Sequence, residues 1–211
     1  MKKTLTFTIG SMAVALIVVA SLISLMLFQK TQAAVHDVSM TTNVQEYLIF
    51  DITSGDAVPF GNLTPGTPIK APSSGTVASV TTNSANGYTI GLHDSVAGTD
   101  SCLLHTDTTT RIADYAGTIA VPTSWTGTGL GITLFAADTG KNAKWGTGTT
   151  YDDALNKYAG IPQTSTVAHT VTGYHAGADT SSWAYEIDVP NTQKTGAYSG
   201  SMTFTATAVL S

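Results

Sequence analysis

Five histidines, a set of loop carboxylates, one cysteine and a group of tryptophans and tyrosines are the residues whose types could do chemistry in this chain. His36-Asp37 and His93-Asp94 each set a base beside a carboxylate, the pairing a hydrolase uses. Neighbouring residues of a strand point to opposite faces, so neither pair converges, and no Gly-x-Ser-x-Gly elbow accompanies them. His169 and His175 could meet across a turn and share a metal ion; with His105 they read otherwise as solvent-facing strand histidines. No His-Glu-x-x-His pattern supports a zinc protease, and no Gly-rich phosphate loop is present. Asp94, Asp100 and Asp107 fall in one loop-rich region, and Asp152-Asp153 make a second acidic pair. Loop carboxylates are the ligands Ca²⁺ prefers, but the EF-hand spacing is missing, so solvated loop charge is the default and no cofactor is expected. Trp125, Trp145 and Trp183, with Tyr151, Tyr158 and Tyr174, could form a sugar-binding platform, although aromatics of a β domain more often fill its core. Cys102 is the lone cysteine and cannot form an internal disulfide. It reads as a small buried hydrophobe, the alternative being an intermolecular bridge or a reactive thiol. The chain is therefore expected not to be an enzyme.

The segment that would place such a domain is the opening one. Lys2-Lys3 precede a largely apolar stretch over residues 5–28, and Gln29-Lys30-Thr31-Gln32-Ala33-Ala34 follow. A basic head, an apolar middle and a small-residue exit make an export signal, with cleavage expected after Ala33. The apolar stretch is long enough to approach a membrane span, so a retained N-terminal helical anchor is the alternative, and residues 5–28 are then the one membrane contact. In both cases the rest of the chain, residues 34–211, works outside the cell or at its surface as one domain. That part holds six basic against fourteen acidic residues, net −8. Scattered acidic charge repels phosphate, which excludes nucleic acid as a partner. Charged residues make up only 11% of the chain against a usual quarter or so. A hydrophobic share of 42% argues against disorder, and threonine-rich, lysine-poor composition suits strands.

Short apolar or threonine-rich runs alternate with Gly, Pro, Asn and Asp, the all-β pattern. Strands are expected over residues 44–52, 75–82, 87–93, 130–135, 166–172, 183–189, where apolar and polar residues alternate, and 198–210. Residues 57–61 are at most a short edge strand because of Pro59. Pro65-Gly66 supplies a turn, residues 127–131 and 147–150 read as loops, and residues 152–158 are the one plausible helical turn. Residues 75–82 and 87–93 read as a hairpin around Asn83-Ser84-Ala85-Asn86, with Tyr88, Ile90 and Leu92 on one face. In the final strand Tyr198, Met202, Phe204, Ala206 and Ala208 line the apolar face, and Gly200 marks a bulge or a close approach. With no strand–helix alternation, the expected fold is an antiparallel β-sandwich, jelly-roll or Ig-like, preceded by the N-terminal hydrophobic helix.

Three stretches carry a likeness: Pro59-Phe60-Gly61-Asn62-Leu63-Thr64-Pro65-Gly66, the run from Ser79-Val80-Thr81-Thr82-Asn83 through Gly87-Tyr88-Thr89-Ile90, and Gly196-Ala197-Tyr198-Ser199-Gly200-Ser201-Met202-Thr203-Phe204-Thr205-Ala206. Together they resemble the bacterial surface β-sandwiches of the spore-coat-U-like and fimbrial pilin subunits and, more weakly, WxL-type cell-surface domains. The chain lacks the cysteine pair usual in the pilins and only echoes the Trp-x-Leu motif. The resemblance implies a structural subunit that assembles with copies of itself into a filament or coat by strand donation. A candidate donor carries Val35, Val38, Met40 and Val44 just after the leader, its alternative being an ordinary first strand of the domain's own sheet. The rival function is an anchored or wall-attached binding module for glycan or a host surface.

Overall fold

The computed structural model describes residues 20, 36–95 and 103–210. The expected N-terminal helix, Val35, Asp100 and Cys102 lie outside them. Residues from Val44 onward form one compact unit, and those up to Asn43 belong to another.

The unit is nearly all β. Its strands are β1 (Leu48–Ser54), β2 (Ile69–Thr82), β3 (Gly87–Asp94), β4 (Leu103–His105), β5 (Arg111–Ile112) and β6 (Thr123–Ser124), then β7 (Gly129–Ala137), β8 (Lys157–Tyr158), β9 (Thr166–Thr172), β10 (Ala178–Asp188), β11 (Tyr198–Ser199) and β12 (Met202–Ala208). Two antiparallel sheets pack face to face in a sandwich-like arrangement: a four-stranded one in the order β1-β2-β10-β7 and a three-stranded one in the order β12-β3-β9. Two smaller sheets, β11-β4-β5 and β6-β8, flank them. Ala78 and Val80 of β2 and Trp183 of β10 enter the same core as Tyr88, Ile90 and Leu92 of β3, and all are at most 1% exposed. Burying each large apolar side chain contributes about 1.5–3 kcal/mol.

Six local expectations are corrected. β2 and β3 do not form a hairpin: β2 bonds to β1 and β10, and β3 to β12 and β9. Residues 83–86 instead carry the chain from one sheet to the other, because the apolar faces of both strands must meet across the core. Ser84 is buried at that crossing and donates its hydroxyl to Val209 O at 2.6 Å. β10 keeps no alternation from Trp183 to Asp188, where every residue is buried. It is the central strand between β2 and β7, and its outer side is covered as well: a side chain added at neighbouring Gly131 would touch Trp125, Tyr115 and Tyr158. The long final strand breaks at Gly200-Ser201, so Tyr198 pairs with His105 of β4 while β12 pairs with β3. Residues 151–155 are turns leading into β8, and the helical turn is a 3₁₀ segment at Ala143–Trp145, with Asn142 Oδ1 capping Lys144 N–H at 2.9 Å. Finally, β7 begins at Gly129, inside the expected loop, and β1 begins at Leu48 rather than at residue 44.

Candidate functional site

The residues singled out for chemistry do not gather in one place. His93 is half-buried on β3 while Asp94 beside it is buried, the opposed orientation of strand neighbours. Among the described residues no three His, Cys, Asp or Glu side chains converge as metal ligands. His169 is buried in β9, whereas His175 is half-buried in the loop that follows. The loop carboxylates accept hydrogen bonds from their own turns. Asp107 takes the N–H of Thr109 and Thr110, the Thr110 hydroxyl, and Lys194 Nζ at 2.8 Å. Lys194 first, and then Thr110, hold its carboxyl far below the usual carboxylate range. Asp153 accepts from the N–H of Leu155 and Thr149, which lower its pKa in that order, and Asp152 accepts from the Thr150 hydroxyl. Such bonds are what Asp does in turns. The aromatics spread through the molecule rather than forming a platform. Trp145, Trp183 and Tyr158 are buried, Trp125 stacks on Tyr115 at 4.4 Å, and Tyr174 is exposed.

One buried polar set was missed by sequence reasoning. Tyr88 of β3, His169 of β9 and Asp179 of β10 meet between the two sheets, each at most 2% exposed. The Tyr88 phenol, both His169 nitrogens and both Asp179 oxygens make no well-formed hydrogen bond. Burial, then the Asp179 carboxylate, push the Tyr88 phenol well above its ordinary range. Burial lowers the His169 pKa, with Asp179 opposing and Lys144 reinforcing the shift. A histidine whose folded pKa lies below its ordinary 6.5 takes up its proton in the unfolded chain first. Stability is therefore full above that value and falls as the pH drops toward the folded pKa, by at most about 1.4 kcal/mol per pH unit. We expect thermal unfolding followed from about pH 7.5 to about pH 5 to show a smaller loss of Tm in His169→Gln than in the parent. An equal loss in both would show that His169 is not the group responsible.

The remaining feature is an asymmetry of the sheet edges. The edge formed by β7 is capped by neighbouring chain: Leu130 exchanges bonds of 2.9 Å with Ala113 and Tyr115, and Ile132 bonds to Ala159 in both directions. The β9 edge receives Trp145 Nε1–H at Ala168 O, 3.1 Å away. The edges formed by β1 and β12 receive no such backbone cap among the described residues. Along β12, Met202, Phe204, Ala206 and Ala208 are half-buried and the threonines between them exposed, while Tyr198 lies apart in β11. A small cavity of about 260 Å³ lies between Ile52 of β1 and Met202 and Phe204 of β12, reaching inward to Tyr185. It adjoins a groove of about 910 Å³ walled by Val58, Phe60, Leu63, Leu103, Ile112 and Val189. Both share Val58, Phe60, Leu103 and Gly200.

The groove's far rim is a fixed loop. Gln193 donates to Arg111 O and to the Tyr198 hydroxyl, Tyr198 donates to Lys194 O, and Lys194 reaches Asp107. Residues 36–47 carry no strand, and Val38, Met40 and Val44 are 75%, 87% and 75% exposed. Asn83 receives the Tyr47 N–H and donates to Gln45 O, both at 2.8 Å, and so fixes the approach to β1. No protein-family model, curated protein or solved structure matches this chain.

Proposed function

We propose that this protein is an exported, non-enzymatic cell-surface subunit whose sandwich-like domain, of jelly-roll or Ig-like kind, assembles with copies of itself into a filament or coat by β-strand pairing. The uncapped side of the domain carries this reading. Among the described residues, two edge strands beside a partly apolar groove receive no backbone cap there, while β7 is capped by neighbouring chain and β9 is bonded at Ala168. An open edge offers main-chain donors and acceptors, and an adjoining groove offers pockets for alternate side chains, the two requirements of strand addition. The segment Val35, Val38, Met40, Val44 of one copy would supply the strand to the groove side of the next, the exposed Val38, Met40 and Val44 gaining burial.

Deletion of residues 35–44 tests this. Material released from the surface of native cells should appear as regular fibres by negative-stain electron microscopy, with a mature N-terminus near Ala34 by mass spectrometry. The deleted chain should keep its β-sheet circular dichroism and form no fibres, sedimenting as particles no larger than a closed dimer. Fibres unaffected by the deletion would remove the donor segment. A parent found dispersed, or still carrying residues 5–28, would favour the anchored binding module.

A further inference from the structure

The outward hydrogen-bonding groups of β12 belong to one set of residues. The bonds from Val209 N–H to Gly87 O and from Ser95 N–H to Ser201 O, each 2.9 Å, set the phase of the β12–β3 ladder, so its odd-numbered residues bond to β3. The N–H and C=O groups of Met202, Phe204, Ala206 and Ala208 therefore point away from β3 toward the open side. The side chains of these four are half-buried, and Thr203, Thr205 and Thr207 are exposed. The strand has no charge and no proline, the devices that usually guard an edge.

We propose that β12 pairs antiparallel with β12 of a second copy, about a two-fold axis through Thr205, joining the two three-stranded sheets into one of six strands. The inference rests on the assembly reading and names one of its contacts. In this register the strand is self-complementary. Phe204 faces Ala206 and Met202 faces Ala208 on the core side, a large side chain against a small one at each step. Thr203 faces Thr207 on the outer side, and threonine pairs across strands are favourable. A register centred on Ala206 leaves Met202 beyond the partner strand, and a one-residue slip turns one copy's core face outward. The outward backbone groups of the even-numbered residues then meet those of the other copy. The domain's net −8 charge makes most approaches repulsive, and β12 opposes none. The contact is isologous and closes on itself, so propagation is left to the donated segment.

Thr205 is the test position, because at the axis it faces its own copy. Directly opposite residues of a non-hydrogen-bonded antiparallel pair have Cα atoms about 4.5 Å apart, within the roughly 4.4–6.8 Å a disulfide spans. In the full chain carrying Cys102→Ser, mild oxidation of Thr205→Cys should give a covalent dimer on non-reducing electrophoresis. Thr203→Cys alone should give none, and Thr203→Cys mixed with Thr207→Cys should give one. Thr205→Lys, which sets two like charges together, should weaken association about tenfold or more with unchanged circular dichroism. Equal cross-linking at all three positions, or none at Thr205, overturns the register. Fibres without a Thr205 cross-link would remove this edge and leave the assembly reading standing, whereas a parent monomeric at every concentration would remove both.

Discussion

Trp183→Ala should destabilise the domain by about 3–5 kcal/mol, the range for deleting a fully buried tryptophan. Trp183 is completely buried and meets two other rings edge-on, Trp145 at 5.8 Å and Phe204 at 5.6 Å. It thus joins β10 of the larger sheet to β12 of the smaller one and to the 3₁₀ turn. The substitution removes transfer free energy, two edge-to-face contacts worth about 0.5–1.5 kcal/mol each, and leaves a cavity that neighbours on three elements cannot all collapse into. The Ser181 hydroxyl also loses the indole N–H it accepts at 3.0 Å. Domains of this size have about 5–15 kcal/mol to lose, so the variant should unfold at a much lower urea concentration, with the slope of the transition unchanged. A loss under about 1 kcal/mol would mean the two sheets are not held together through this residue.

Gly87→Ala should cost roughly 3 kcal/mol or more, far beyond what a single methyl group normally does. Gly87 opens β3 where the chain crosses between sheets, with φ at +85°. An L side chain in that region carries a penalty of about 1–2 kcal/mol. A Cβ there would also lie 2.1 Å from Val171 O and 2.8 Å from its carbonyl carbon, both backbone atoms of the paired strand β9. Relief requires the β3–β9 ladder to open at its end, next to the Val209 N–H bond to Gly87 O. Gly61→Ala is the control, because φ is +71° and nothing lies within 4 Å of its added Cβ. Chemical denaturation of both should separate the strain they share from the collision only Gly87→Ala suffers. Equal losses would show that the crossing tolerates a side chain.

Much of the strand inventory was legible because alternation and turn residues are local signals. Residues 166–172 form β9 as expected, and Tyr88, Ile90 and Leu92 share the buried face of β3. Strand partners were not legible. Period-two alternation tells which face of a strand is apolar, but not whether its neighbour in the chain lies beside it or across the core. The run over residues 83–86 has the composition of a hairpin turn and serves instead as a crossing. The Tyr88–His169–Asp179 set was hidden for a related reason. Asp179 lies in phase with Ser181 and Trp183, all buried, so its inward orientation could have been read. His169 could not, because β9 slips register between His169 and Val167 opposite Ile90 and Gly91, burying Ala168 and His169 together.

The sequence by itself determined an all-β chain, where most strands lie, and the apolar face of β12, because these follow from side-chain volume, β-branching and two-residue periodicity. Only the tertiary structure decided which strands pair, that β10 is buried on both faces from Trp183 to Asp188, and that among the described residues β7 and β9 receive bonds at their edges while β1 and β12 receive no backbone cap. Those outcomes depend on contacts between segments far apart in the chain, such as Leu130 with Ala113 or Trp145 with Ala168. Whether an edge is capped is a property of what packs beside it, and no pattern within the strand records that.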